Sequence, residues 1–272
     1  MYQTEALTLQ ETFIKSKILG RNVKARILGQ GHFHHPHCIF ILFNDGQDFP
    51  LLHMQRSVDA FNKIYDHCKI AVCGLDCGDR INEYGAVARL DYRNRGSKAI
   101  PYHHSLISEI LPLLKQKYHF NAPPDRMGFA GFSLGGLSAF DFTVRHPELM
   151  SFCGVFSGSF WWRHKPFTAD TPDDFRIMHE TIEKLPLDFR QKYWFEAGTR
   201  DELSDRNHNG VIDSIDDTLH LIDTLIHRGF DRSNSIEYME VAGGTHDPYT
   251  WGHVMPYFFD WIQRQVRKNI KN

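Results

Sequence analysis

Arg126-Met127-Gly128-Phe129-Ala130-Gly131-Phe132-Ser133-Leu134-Gly135-Gly136 is the stretch on which the reading of this chain turns. An apolar run over 126–131 reads as a buried strand. It feeds G-x-S-x-G, which opens a stretch with helical spacing at Leu137, Phe140 and Val144. A strand that turns this abruptly into a helix strains the residue at the corner and leaves no room for side chains two positions either side, hence the glycines. The corner lifts the Ser133 hydroxyl above the sheet and sets it at a helix N-terminus, where developing negative charge is favoured. The bland alternative is a glycine-rich turn that only packs a helix.

Working outward, further short apolar runs occur at 38–43 (CIFILF), 70–74, 152–157, 193–198 and 236–241. The first is too short for a helix, is bounded by Pro36 and Gly46, and reads as a strand buried on both faces. Helical stripes fall between them: Ile107, Ile110, Leu111 and Leu114 within 102–118; Leu219, Ile222, Leu225 and Ile226; and Phe258, Trp261, Ile262 and Val266. Two alternating runs, 13–19 and 23–28, flank Gly20-Arg21-Asn22 and predict an N-terminal antiparallel hairpin. The pattern predicts an α/β fold: a mostly parallel central sheet with that hairpin at one end and helices on both faces. No repeat or linker divides the chain, so it reads as a single domain over 1–272.

Composition narrows the function. The 272 residues carry 31 basic and 33 acidic groups, a formal charge of -2, which argues against a nucleic-acid partner because phosphate binding needs a positive field. With 42% hydrophobic and 13% aromatic residues the chain is not of the disordered class. No apolar run approaches the roughly 20 residues of a bilayer span. The N-terminus, MYQTEALTLQETFIKSKILG, has no basic start, apolar core and small-residue cleavage site. The five cysteines, Cys38, Cys68, Cys73, Cys77 and Cys153, are odd in number and lack zinc-like pairing. Together these features read as a cytoplasmic protein with reduced thiols.

A serine needs a base, and the base an acid to orient it. At a strand–turn–helix serine the partners follow in the order Asp or Glu, then His. The run 193–198 ends in Thr199-Arg200-Asp201-Glu202, and 236–241 ends in Ala242-Gly243-Gly244-Thr245-His246-Asp247. His246 is the candidate base, with His253 its rival. Asp201 is the preferred acid, with Glu202 the alternative. Asp247 stands too close to His246 to reach back and is expected to cap or brace the loop. Two backbone donors must hold the oxyanion. Leu134, after the nucleophile, supplies one. Gln47, in Asn44-Asp45-Gly46-Gln47-Asp48-Phe49 after the run 38–43, is expected to supply the other, unless that loop is an ordinary Asp-Gly turn.

These residues resemble the Putative esterase family, which includes enterochelin esterases, S-formylglutathione hydrolases, feruloyl esterase domains and mycolyltransferases. The resemblance is carried by Asn44-Asp45-Gly46-Gln47, by Asp79-Arg80-Ile81-Asn82-Glu83-Tyr84, by Arg95-Gly96-Ser97-Lys98-Ala99 and by Glu109-Ile110-Leu111-Pro112. Residues 131–136 match the elbow, Ser157-Gly158-Ser159-Phe160-Trp161-Trp162 the enterochelin-esterase-like branch, and 243–246 with Trp251 the histidine loop. It spans roughly residues 10–268. It implies an α/β-hydrolase fold without a large cap, and ester hydrolysis through an acyl-enzyme with Gln47 and Leu134 as oxyanion donors and Asp201 as the acid. The acid loop departs from the family pattern by a long polar insertion. The resemblance does not extend to the domain that precedes the catalytic part of bacterial enterochelin esterases, so it does not by itself imply a siderophore substrate.

That insertion, 205–216, fits D-x-[DN]-x-[DN]-G with oxygens at Asp205, Asn207 and Asn209, the Val211 carbonyl, and Asp216 where a glutamate usually stands. It reads either as a structural calcium loop or as an Asn/Asp/Gly-rich turn that caps a helix. Catalysis calls for no cofactor. Trp161 and Trp162, with Phe160 and Tyr102, are candidates to wall the substrate pocket. Arg80, Arg89, Arg93, Arg95 and Arg163 either favour an anionic substrate or form a solvated face. The expected partner is a small-molecule ester, and the oligomeric state is not legible. Thioester hydrolysis or acyl transfer is the alternative on the same machinery. A calcium-dependent binding protein on a retired hydrolase scaffold is the alternative of another class.

Overall fold

The computed structural model describes residues 9–270; residues 1–8, with which the N-terminal reading begins, lie outside it. In chain order the elements are β1 (Gln10–Ser16), β2 (Arg21–Leu28), β3 (Cys38–Asn44), α1 (Met54–Ile64), β4 (Lys69–Leu75), α2 (Arg80–Glu83) and α3 (Ala99–Ser105). A π turn (Leu106–Ile110) leads into α4 (Leu111–Tyr118), followed by β5 (Met127–Phe132), α5 (Leu134–Arg145), β6 (Phe152–Phe156) and α6 (Ile177–Lys184). Then come β7 (Lys192–Arg200), α7 (Asp213–His227), α8 (Arg232–Ser235), β8 (Ile236–Thr245) and α9 (Pro248–Ile270).

The eight strands form one sheet in the order β1-β2-β4-β3-β5-β6-β7-β8. The β1–β2 and β2–β4 pairs are antiparallel and every other pair is parallel. The alternation within β3 shows how such a sheet divides its core. Phe40 and Leu42 face one apolar cluster with residues of α3, α4, α5, α6 and α7, while Ile39, Ile41 and Phe43 face a second with α1 and α9. All seven residues of β3 are buried, as a strand covered on both faces requires. No described helix is long and apolar enough to cross a membrane.

β7 and β8 run on to Arg200 and Thr245, beyond the apolar runs 193–198 and 236–241, and three further differences from the sequence reading have a local reason. The first strand stops at Ser16 rather than 19, because the Glu109 carboxylate accepts the Lys17 and Ile18 amides and the Ser16 hydroxyl and bends the chain there. Helix α1 gives little apolar signal because its buried face includes Ser57 and Asn62; Asn62 instead exchanges hydrogen bonds with both backbone groups of Ile70. The stripe in 102–118 belongs to two helices joined by the π turn. Pro112, with no N–H to donate, lies in the first turn of the second.

Candidate active site

The carboxyl ends of β5, β6, β7 and β8 lie side by side, and each delivers a polar residue to the same edge of the sheet. Ser133 follows β5 with φ 54° and ψ -121°, a strained conformation for a residue with a side chain. Its amide donates to Phe156 O at 2.9 Å, and its carbonyl accepts the Gly136, Leu137 and Ser159 amides. The glycines are required by contact. A Cβ at Gly131 would lie 2.3 Å from Gly135 O, and one at Gly135 would lie 2.7 Å from Asp45 Oδ2. The Ser133 hydroxyl stands 3.2 Å from that of Ser159, a buried side chain in the turn after β6.

Asp201 follows β7, and both its carboxylate oxygens are buried without a hydrogen-bond partner among the described residues. His246 follows β8 with Nδ1 3.9 Å from Asp201 Oδ2; its side chain is 37% exposed and that of Asp201 0%. The imidazole packs edge-on against Trp251 at 5.3 Å, and Trp251 stacks on Phe132, the residue before Ser133. Trp251 Nε1 also donates to Ser157 Oγ at 2.9 Å, which ties α9 to the end of β6. Asp247 accepts the Tyr249 and Thr250 amides and so caps α9, the bracing part expected of it. His253 lies on α9 and is exposed.

On the other side of Ser133, Asn44-Asp45-Gly46-Gln47 forms a turn held by long-range bonds. Asn44 donates to Gly135 O at 2.8 Å and accepts from Tyr102 Oη at 2.5 Å, while the Asp45 amide donates to Tyr84 Oη. Arg80 grips the buried Asp45 carboxylate through Nε and Nη2 and also donates to Phe132 O at 3.1 Å. Neither the Gln47 nor the Leu134 backbone N–H forms a hydrogen bond with another described residue, whereas the Gln47 side-chain amide donates to Asp45 Oδ1 at 2.9 Å. Gly46 sits against β4 so closely that a Cβ would fall 2.4 Å from the Gly74 carbonyl carbon. Gly46→Ala should therefore push this turn off the sheet. The expected cost is about 1–3 kcal/mol in urea unfolding, together with a loss of kcat out of proportion to any change in KM.

The sequence pattern of the Putative esterase family matches residues 16–259. The chain belongs to that family. Among solved structures, this esterase-family chain superposes on the enterochelin esterase of Shigella flexneri with a TM-score of 0.70 at 21% identity, over 96% of this chain and 60% of that one. It also superposes on a ferulic acid esterase (0.70, 13% identity, 95% and 98% covered) and on an IroE-like serine hydrolase from Shewanella oneidensis (0.66, 17%, 96% and 80%). At such identities the likeness is one of fold. Among curated proteins it is 26% identical over 161 residues to endo-1,4-beta-xylanase Y of Acetivibrio thermocellus, covering 56% of this chain and 14% of that protein. It is 25% identical over 100 residues to the uncharacterized protein YbbA of Bacillus subtilis, covering 35% and 40%. The esterase-family chain thus spans less than half the length of either relative.

Several candidate residues of the family member sit elsewhere than the sequence suggested. Trp162, Phe160 and Tyr102 are buried in the core, so only the partly buried Trp161 can face a substrate. Arg95 lies over both tryptophan rings and pairs with Asp91. Arg80 and Arg163 are engaged internally, Arg89 pairs loosely with Glu180, and Arg93 covers Tyr92. Ser159, Tyr84, Glu196 and the Asp45–Arg80 pair were not singled out as site residues by sequence.

The loop 205–216 turns on its own side chains. Asp205 accepts the Asn209 and Gly210 amides, Asn207 Oδ1 the Asn209 amide, and Asn209 Oδ1 the Val211 amide. Asn207 Nδ2 donates to Asp216 at 2.8 Å. Asp216 also lies with Asp173 and His220 in a group whose ligand atoms are within 4.8 Å of one another, a set able to hold a metal ion. A protein cation is already close by. Arg206, 2% exposed, bonds Asp173 and Asp217 at 2.6 Å each, and Arg176 meets the same Asp217 oxygen. Burial pushes the Asp217 carboxyl up, against the pull of Arg206, Arg176 and Arg163. Arg206→Ala would strand buried carboxylates and should cost about 3–5 kcal/mol in urea unfolding; a loss under about 1 kcal/mol would mean the network is solvated.

Proposed function

We propose that this protein is a serine esterase that hydrolyses carboxylic esters of small molecules through an acyl-enzyme. The observation that carries the reading is Ser133 itself: a strained corner between β5 and α5, with the unbonded Leu134 amide beside it. Ser133 Oγ attacks the ester carbonyl carbon while His246 Nε2 takes its proton. His246 Nδ1 faces Asp201, which fixes the tautomer and stabilises the imidazolium; the 3.9 Å resting separation closes as that charge forms. The Leu134 and Gln47 amides hold the oxyanion. The intermediate collapses as His246 returns the proton to the departing alkoxide. Water then releases the acyl group by the same route. Trp161 forms one wall of the substrate site.

For the loop 205–216 we propose a structural part, holding the segment that follows Asp201. Any calcium bound there acts on stability and not on the chemical step. A chelator should leave the initial rate unchanged, and a calcium-dependent rate would contradict this.

Initial rates on p-nitrophenyl acetate, butyrate and octanoate test the esterase reading. Saturable turnover of at least one is expected, with the chain-length profile sizing the acyl site. A folded protein inert toward all three would count against it.

A further inference from the structure

Glu196 is an anomaly in β7. It stands among Tyr193, Trp194, Phe195 and Ala197, its residue is 0% exposed, and neither carboxyl oxygen takes a hydrogen bond among the described residues. The parallel register aligns Phe132, Phe156, Glu196 and Met239 across four strands, so all four side chains lie on one face of the sheet. Phe132 and Phe156 are 5.2 Å apart on that face, and Trp251 stacks on Phe132. Glu196 therefore lies on that face two strands along the row from Phe132. A Cβ at Gly198, the next residue of β7 on the same face, would lie 2.7 Å from Asp201 Oδ1, so the Asp201 carboxylate sits over the position next to Glu196. Ser157, directly after β6, gives its amide to Glu196 O at 2.8 Å, and its hydroxyl holds the Trp251 indole.

A buried carboxylate with no cationic group beside it keeps its proton, because desolvating the charge costs far more; Asp201 differs in having His246 Nδ1 at 3.9 Å. Burial first, and then the negative charge of Asp201, push the Glu196 carboxyl up to about 8, against the Ser157 amide and hydroxyl, which favour the ionised form. The polar groups that act on it are Asp201 beyond β7 and Ser157 beyond β6; Tyr238 on β8 pairs with Phe195 and lies on the opposite face, from which its charge interaction with Glu196 crosses the sheet. Burial and Glu240 raise the Tyr238 phenol far above its ordinary range, with Glu196 and Asp201 adding to the effect. The charge that opposes ionisation of Glu196 is thus that of the acid assigned to the triad.

We propose that Glu196 is a positioning residue for the catalytic apparatus: as a neutral acid it leaves Asp201 the single negative charge beneath His246, and its ionisation drives Asp201 out of register. This rests on the esterase reading. Below the ionisation, one carboxylate faces the imidazole. Above it, two carboxylates share one dry space and repel, so the Asp201–His246 contact opens and kcat falls.

The experiment is the pH profile of kcat/KM for wild type and Glu196→Gln, with Ser133→Ala as the blank for spontaneous hydrolysis. Wild type should lose activity through an ionisation near 8, by about tenfold per pH unit beyond it. Glu196→Gln, which cannot ionise, should start lower at neutral pH yet hold its activity through about pH 9.5. A wild-type profile flat across that range overturns the proposal without any variant, and so does the same alkaline fall in both proteins. Melting temperatures supply a readout independent of turnover. The folded state retains a proton that the unfolded chain releases above 4.5, so wild type should lose stability relative to Glu196→Gln between about pH 4.5 and 8. A gap that stays constant with pH defeats the neutral Glu196. Absence of turnover at every pH defeats the esterase reading, and the positioning role with it, whatever the melting curves show.

Discussion

Ser133→Ala should abolish ester hydrolysis, lowering kcat by about 10⁴-fold or more while KM changes little. The size of the effect follows from the chemistry. Without the hydroxyl no acyl-enzyme forms, and only the oxyanion donors and substrate binding remain to accelerate attack by water. The fold should survive. Among the described residues the Ser133 side chain makes one hydrogen bond, to Ser159 at 3.2 Å, whereas the bonds that hold the corner are made by its backbone. Alanine inherits the strained φ of 54°, worth about 1–3 kcal/mol either way, so the two melting temperatures should be close. A variant that loses activity and stability together would point to collapse of the corner instead.

Asp201→Asn should lower kcat by about 10⁴-fold, because an amide cannot stabilise the imidazolium and favours the wrong tautomer. Glu202→Gln should cost less than about tenfold. The two acids are neighbours in sequence but differ in surroundings. Asp201 is fully buried with Oδ2 3.9 Å from His246 Nδ1. Burial and then Asp213 push the Glu202 carboxyl up, and its tie to His246 is only a weaker charge effect. Comparable losses in both variants, or a larger one at Glu202, would move the triad acid by one residue.

The parts of the fold legible in the sequence were those that depend on local pattern. Strands buried on both faces leave continuous apolar runs, as β3 does, and the G-x-S-x-G corner imposes its glycines through contacts within a few residues. Membership of the Putative esterase family was legible for the same reason. The supports of the site were not. The Asn44–Gly135, Asp45–Tyr84 and Arg80–Phe132 bonds join residues 91, 39 and 52 positions apart, and no spacing rule reaches that far. Arg80 was read as a group for an anionic substrate or as part of a solvated face because its buried partner, Asp45, lay out of sight. Trp162 stands in the sequence as either a pocket wall or a packing residue, because aromatic pairs in post-strand loops look alike whether they face substrate or core; it is buried in the core. Glu196 did leave a signal: a lone carboxyl in YWFEAG, a run whose apolar neighbours mark it as covered on both faces.

The loop 205–216 illustrates a different limit. Its oxygens recur at the spacing of a calcium loop, yet the same spacing lets Asp205, Asn207 and Asn209 cap successive backbone amides. Between the acids sits Arg206, whose guanidinium bridges Asp173 and Asp217. Arg206 thus ties this loop to Asp173 and to α7, and the Arg206 and chelator experiments probe the loop's part in stability from two sides.

The account stands on one covalent bond, between Ser133 Oγ and the acyl group of the substrate. The most direct measurement is intact-protein and peptide mass spectrometry after brief exposure to a p-nitrophenyl ester and acid quench. The account predicts a mass increase equal to one acyl group, confined to the peptide that carries Ser133 and absent from Ser133→Ala. Turnover without any adduct on that peptide, or an acyl group found on another residue and retained in Ser133→Ala, would contradict it.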